Sequence, residues 1–139
     1  MNKINMGRVV LGGLVAGLVI SAGNFLLNRV WLRDAMNTEL ARLHVSEPGS
    51  DFIAKVVVAT LILGIAIVYL YAAIRPRFGA GVKTAICAGS MAWFFVFLYT
   101  GVIFSMALGM PMGLTVKRTV WGLIEYAIGA VAGAWLYKE

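Results

Sequence analysis

Glu125 is the residue best placed to do chemistry, because it stands alone among apolar neighbours from Thr119 to Tyr137. About ten residues into a helix, it would lie roughly 15 Å deep at the usual rise. A charge at that depth costs about 2.5–3.5 kcal/mol to insert. It must therefore be protonated, paired or facing a water path. Three roles stay open: locking a bundle by hydrogen bonds, relaying a proton or cation, or touching a ligand. Ser21 and Asn24 are expected at a similar depth on an antiparallel helix, as hydrogen-bond partners. Arg118 stands seven residues earlier on the same helix, and Arg29 can approach from the first apolar segment.

Arg29, Lys55 and Arg118 fall about one turn inside the expected ends of three helices. Converging, they would hold a phosphate or carboxylate. Apart, they would snorkel to lipid headgroups, which is commoner. Met106, Met110 and Met112 cluster at one loop, with His44 expected at the same end. Thioether and imidazole suit copper, but without a tighter repeat the methionines read as interfacial filler. Cys87 is the only cysteine, so neither an intramolecular disulfide nor a multi-cysteine metal site can form. Glu125 and His44 are expected at different depths, and no phosphate-binding glycine loop is present. The expectation is a protein that is not an enzyme, with no catalytic residues, no metal and no cofactor.

The elements that position these residues are hydrophobic throughout. Hydrophobic residues form 61% of the 139 and charged residues 13%, against about 45–50% and 25% in soluble domains. Val9–Asn28 and Val56–Ile74 carry no charge, and neither does Thr84–Val116, which is too long for one span unless Gly109-Met110-Pro111 is a loop. About 20 apolar residues cross the hydrocarbon. The predicted fold is all-α: one domain over 1–139 with four transmembrane helices at about 8–31, 51–74, 82–107 and 113–137. Residues 1–23 have the outline of a secretory signal, but the run continues through Phe25-Leu26-Leu27 to spanning length, which predicts a retained helix. Leu32, Met36, Leu40 and Leu43 recur at helical spacing, predicting a short interfacial helix at about 33–44. Pro76 is expected to end the second span at Ile74.

Between helices already in lipid, close backbone packing and hydrogen bonds drive association. The first span offers Gly13, Gly17 and Ser21, continuing to Asn24 and Asn28; the fourth offers Gly122, Glu125, Gly129 and Gly133. These two stripes are expected to face each other, or a second subunit. The belt aromatics are Trp31, Tyr69, Tyr71, Trp121, Trp135 and Tyr137, whereas Trp93, Phe94, Phe95, Phe97 and Tyr99 fall mid-span and read as lipid-facing bulk. Ala66…Tyr69-Leu70-Tyr71 echoes Ala132…Trp135-Leu136-Tyr137, as a duplicated hairpin or merely matched anchors would. The formal charge of +6 fits helix flanks meeting anionic headgroups, and no basic–aromatic groove for nucleic acid is visible. Lys3, Arg8, Arg75, Arg77, Lys83 and Lys138 lie on one side, and six cations with four acids on the other. The acid-free loop at 75–83 favours that side, with both termini, as cytoplasmic.

Gly7-Arg-Val-Val-Leu-Gly-Gly-Leu-Val-Ala-Gly-Leu-Val-Ile, Tyr71-Ala-Ala-Ile-Arg-Pro-Arg-Phe-Gly-Ala-Gly-Val-Lys-Thr-Ala and the closing Ala132-Gly-Ala-Trp-Leu-Tyr-Lys-Glu139 resemble a family of small bacterial membrane proteins of uncharacterised activity. The resemblance spans essentially the whole chain, with Arg75-Pro-Arg-Phe-Gly79 its most specific part. It implies the four-helix fold and a bacterial inner membrane, and transfers no activity. It also implies an acid at the Glu125 position, and often a second where this chain has Asn24, which favours a structural role for the acid that remains. The expected function is thus a structural or accessory subunit, or a homo-oligomer. Its partners would be the bilayer, further copies or other membrane subunits. The alternative is an oligomeric transporter or channel coupled through Glu125.

Overall fold

Lipid offers no hydrogen-bond partner to a bare peptide group, so an apolar run in a membrane must satisfy its own backbone, as a helix does. The computed structural model, which describes residues 3–137, forms helices from these runs and has no strand among those residues. We number the helices α1 (Met6–Trp31), α2 (Arg33–Arg42), α3 (Ser50–Phe78), α4 (Val82–Ala107) and α5 (Met112–Leu136). All but α2 are long and apolar enough to cross a membrane. Lys138 and Glu139, which enter the cation count and the closing motif, lie outside the described residues.

The boundaries follow local chemistry. The Asn5 side chain accepts from the Arg8 N–H at 3.2 Å and caps α1. Gly79 and Gly81 have φ of 83° and 136°, which side-chain-bearing residues rarely adopt, and make the α3–α4 turn short. The turn is fastened twice: the Thr84 hydroxyl donates to the Gly79 carbonyl at 2.7 Å, and the Gly81 N–H donates to the Tyr71 hydroxyl at 3.3 Å. Pro76 does not end α3, as its sequence position predicts. It lies in the last turn, and the helix closes beyond it through a Gly79 N–H bond to the Arg75 carbonyl. The Arg75 guanidinium sits 5.6 Å from the centre of the Tyr137 ring, which braces that end.

Two helices change winding in mid-course. Leu26–Trp31 in α1 and Phe94–Gly101 in α4 are π-helical. Side chains support the wider turns. Asn28 Nδ2 donates to the Asn24 carbonyl at 2.9 Å, and the Thr100 hydroxyl donates to Phe95, five residues back, at 2.8 Å. The Asn28 amide, expected to bond across helices, is therefore engaged within α1. The amphipathic α2 leans on the end of the bundle, where Leu32 and Met36 join Leu27, Leu114 and Trp121. Glu39 of α2 is buried and paired with Arg42, whose Nε lies 2.9 Å from its carboxylate.

The echo between α3 and α5 extends to packing. Thr60, Gly64, Ile67, Val68 and Tyr71 are buried, and so are the residues 66 positions later: Tyr126, Ala130, Gly133, Ala134 and Tyr137. Likewise Gly12, Gly13, Ala16 and Gly17 of α1 are buried, as are Thr84, Ala85, Ala88 and Gly89 of α4, 72 positions on. The crossings match too. A Cβ on Gly17 would lie 2.8 Å from the Thr60 carbonyl oxygen, and one on Gly89 would lie 2.6 Å from that of Tyr126. The bundle is two like hairpins, α1–α3 and α4–α5, with Tyr71 and Tyr137 meeting edge to face at 6.0 Å between them. These two tyrosines are buried, so neither is the interfacial anchor expected of it, whereas Trp135 is 86% exposed.

Candidate functional site

Glu125 is 4% exposed and lies where α5 crosses α1. Its near neighbour is Gly23, and a Cβ there would sit 2.5 Å from Glu125 Oε2. Any side chain at Gly23 would have to displace the Glu125 carboxylate, which occupies that space. Trp121, one turn earlier on α5, points inward as well. Its indole N–H lies 3.0 Å from Glu125 Oε2 and 3.1 Å from the Gly23 carbonyl oxygen, so one donor is shared between an acid on its own helix and the backbone of another. Trp31 covers the outer side of this indole, with ring centres 5.5 Å apart. Among the described residues, Glu125 Oε1 is buried with no hydrogen-bond partner, and so is the Ser21 hydroxyl.

The arrangement differs from several of the partnerships that the sequence left open. Ser21 and Asn24 do not hold the acid; Trp121 does, and it is no belt residue. Arg118 and Arg29 do not pair with Glu125: the ion pairs among the described residues are Arg42–Glu39 and Lys55–Asp51. Arg29, Lys55 and Arg118 do not form one anion site either. Arg29 donates to the Pro48 carbonyl at 3.4 Å, Lys55 binds Asp51 at 2.7 Å, and Arg118 faces a cleft between α4 and α5. Short acceptors close by on each cation's own side have taken two of the three.

The small-residue stripes are real packing surfaces, but with different partners. Gly13 and Gly17 abut α3, where Gly64 lets the backbones meet. The side of α1 that faces α5 carries Gly12, Ala16, Ile20 and Gly23 instead, against Gly129, Gly133 and Glu125. Gly122 receives neither; the Phe97 ring of α4 fills its space, 2.7 Å from where a Cβ would be. Phe97 also stacks edge to face on Tyr126 at 5.4 Å, and the Trp93 indole donates to the Thr119 carbonyl at 2.8 Å. These two mid-span aromatics are thus internal, while Phe94, Phe95 and Tyr99 are exposed as expected.

Met106 and Met112 are exposed, and Met110 alone of the three lines the α4–α5 cleft. Among the described residues no three of His, Cys, Asp and Glu come together in a way that could hold a metal ion. The node has one clear chemical property: a shared indole donor couples a buried acid to the carbonyl of a neighbouring helix. Sequence reasoning missed Trp121, Gly23, Gly64 and Gly89. The four-residue spacing of Trp121 and Glu125 put them on one helix face, which was the available signal. The chain matches no family model, no curated protein and no solved structure.

Proposed function

We propose that this chain is a non-enzymatic packing module of a bacterial cytoplasmic membrane, acting as an accessory subunit or homo-oligomer, with both termini in the cytoplasm. The observation that carries the reading is the use to which Glu125 is put. Its bonded oxygen holds the Trp121 indole whose N–H also meets the Gly23 carbonyl, so the acid orients the side chain that ties α1 to α5. Glycine-spaced backbones close around it, and it lines neither the cleft at Arg118 nor the groove at Asp51 and Lys55. A coupling group for transport needs an approach for its ion. The outer side of α4, with Phe94, Phe95, Tyr99 and Phe104 exposed, leaves a broad apolar face for lipid or another subunit.

The test is proton and cation flux in liposomes with wild type and Glu125→Gln. Neither protein is expected to raise flux above that of empty vesicles, and native mass spectrometry from mild detergent is expected to show a complex larger than the 15.0 kDa chain. Flux in wild type that disappears in Glu125→Gln would make the protein a transporter. A solitary chain with no partner in native membranes would remove the accessory and oligomeric readings together.

A further inference from the structure

Arg118 is the polar group that the helix-packing role does not use. Its Nε is buried without a hydrogen-bond partner among the described residues, although an arginine near a helix end ordinarily reaches water or headgroups. The side chain instead lines a partly open cavity of about 270 Å³ between α4 and α5. Its lining combines polar Thr115, Thr119 and Ser105 with apolar Val96, Phe97 and Phe104. At the outer edge the loop carrying Leu108 and Met110 closes the cavity, and Arg42 of α2 holds that loop by donating to the Leu108 carbonyl at 2.8 Å. A second guanidinium is thereby fixed at the rim, oriented by Glu39.

We propose that this cavity binds the phosphate headgroup of an anionic membrane lipid, with the upper part of one acyl chain along Val96, Phe97 and Phe104. Three features select that occupant. Arg118 offers unspent donors, and guanidinium donors match phosphate oxygens closely. Its position, about 9 Å along α5 from Met112, places it only about 5 Å below the hydrocarbon edge for a centred helix. A phosphate at the membrane surface can be drawn that far while its chains stay in lipid. The volume falls just under the ~300–1,000 Å³ of ordinary ligand pockets, which suits a headgroup and a short length of chain entering from the open side. The inference stands apart from the role of Glu125, and either can fail alone.

The experiment measures retention of phosphatidylglycerol and phosphatidylcholine by the full chain in detergent, using native mass spectrometry and thermal melting. Wild type is expected to bind phosphatidylglycerol about tenfold more tightly than Arg118→Gln, with Arg118→Lys between them and phosphatidylcholine weak for all three. Inorganic phosphate is expected neither to raise the melting temperature nor to displace the lipid. If phosphate alone competes, the site takes a free anion and the lipid proposal fails. Equal retention by wild type and Arg118→Gln overturns it too. Should Arg118→Gln not fold, Val96→Trp fills the apolar part of the lining with Arg118 intact; undiminished phosphatidylglycerol binding by that variant would be equally fatal.

Discussion

Gly64→Ala is expected to destabilise the bundle by about 2–3 kcal/mol, and Gly64→Leu to abolish the native fold. The added Cβ would lie 2.8 Å from the Gly17 Cα and closer still to the Gly13 carbonyl oxygen and the Gly17 nitrogen. All three are backbone atoms, so no rotamer change relieves the clash and α1 must move bodily away from α3. Forced overpacking in a close-packed interior costs typically about 1–3 kcal/mol, and backbone contact belongs at the upper end. Opposing this, alanine gains roughly 0.5–1 kcal/mol over glycine in a helix. Steric displacement is the larger effect, so the sign is destabilising. Gly113→Ala is the matched control, since a Cβ there meets nothing within 4 Å; it should be neutral or stabilise by up to about 1 kcal/mol. Reversible unfolding in mixed micelles reads both. Equal stability of wild type and Gly64→Ala would show that α1 and α3 do not cross at Gly64.

That crossing also shows where the sequence was readable. The four spans were, because a charge-free run of membrane-spanning length has few other solutions, and the Gly109–Pro111 break divides the longest of them. The existence of packing stripes was readable as well. Their partners were not. Gly12-Gly13 and Ala16-Gly17 are adjacent pairs, about 100° apart around the helix, so α1 presents one small-residue face to α3 and another to α5 at the same level. A four-residue spacing identifies a flat face but carries no information about which helix lies on it. Ser21 and Asn24 fall on the extension of the Gly13–Gly17 line, and so were assigned to the wrong neighbour.

Aromatic residues failed for a related reason. Tyr71 and Tyr137 stand toward the ends of their spans, where a belt residue and a packed residue have the same sequence signature, and Trp121 lies more than two turns inside α5. The difference lies in what each polar tip meets: the Tyr71 hydroxyl accepts from Gly81, and the Trp121 indole finds Gly23 and Glu125. Both partners depend on tertiary contacts or a tight turn. The Tyr69–Tyr71 echo of Trp135–Tyr137 was legible, and its meaning emerges from the matched burial of α3 and α5. An outward aromatic followed two residues later by an inward tyrosine occurs at the same end of both hairpins.

Trp121→Phe is expected to cost about 1–3 kcal/mol, because it keeps an aromatic ring, though a smaller one, while deleting the one N–H that serves two oxygens. Leaving a buried acceptor unpaired carries a penalty of that size, and Glu125 would then have neither oxygen bonded, since Oε1 already lacks a partner among the described residues. Glu125→Gln should cost less: it keeps an acceptor for Trp121, and its new amide N–H can turn toward the side where Oε1 stands alone. The decisive measurement is a double-mutant cycle of Trp121→Phe with Glu125→Leu, read by unfolding in mixed micelles. Hydrogen bonds between membrane helices average about 0.6 kcal/mol in such cycles, with about 1.7 at most. The Trp121–Glu125 coupling is expected near 1 kcal/mol, with Trp121→Phe keeping part of its cost in the Glu125→Leu background through the Gly23 carbonyl. Strict additivity of the two substitutions would mean that the acid and the indole do not act together, and the tie between α1 and α5 would then rest on glycine packing and the Trp121–Gly23 bond, without the acid.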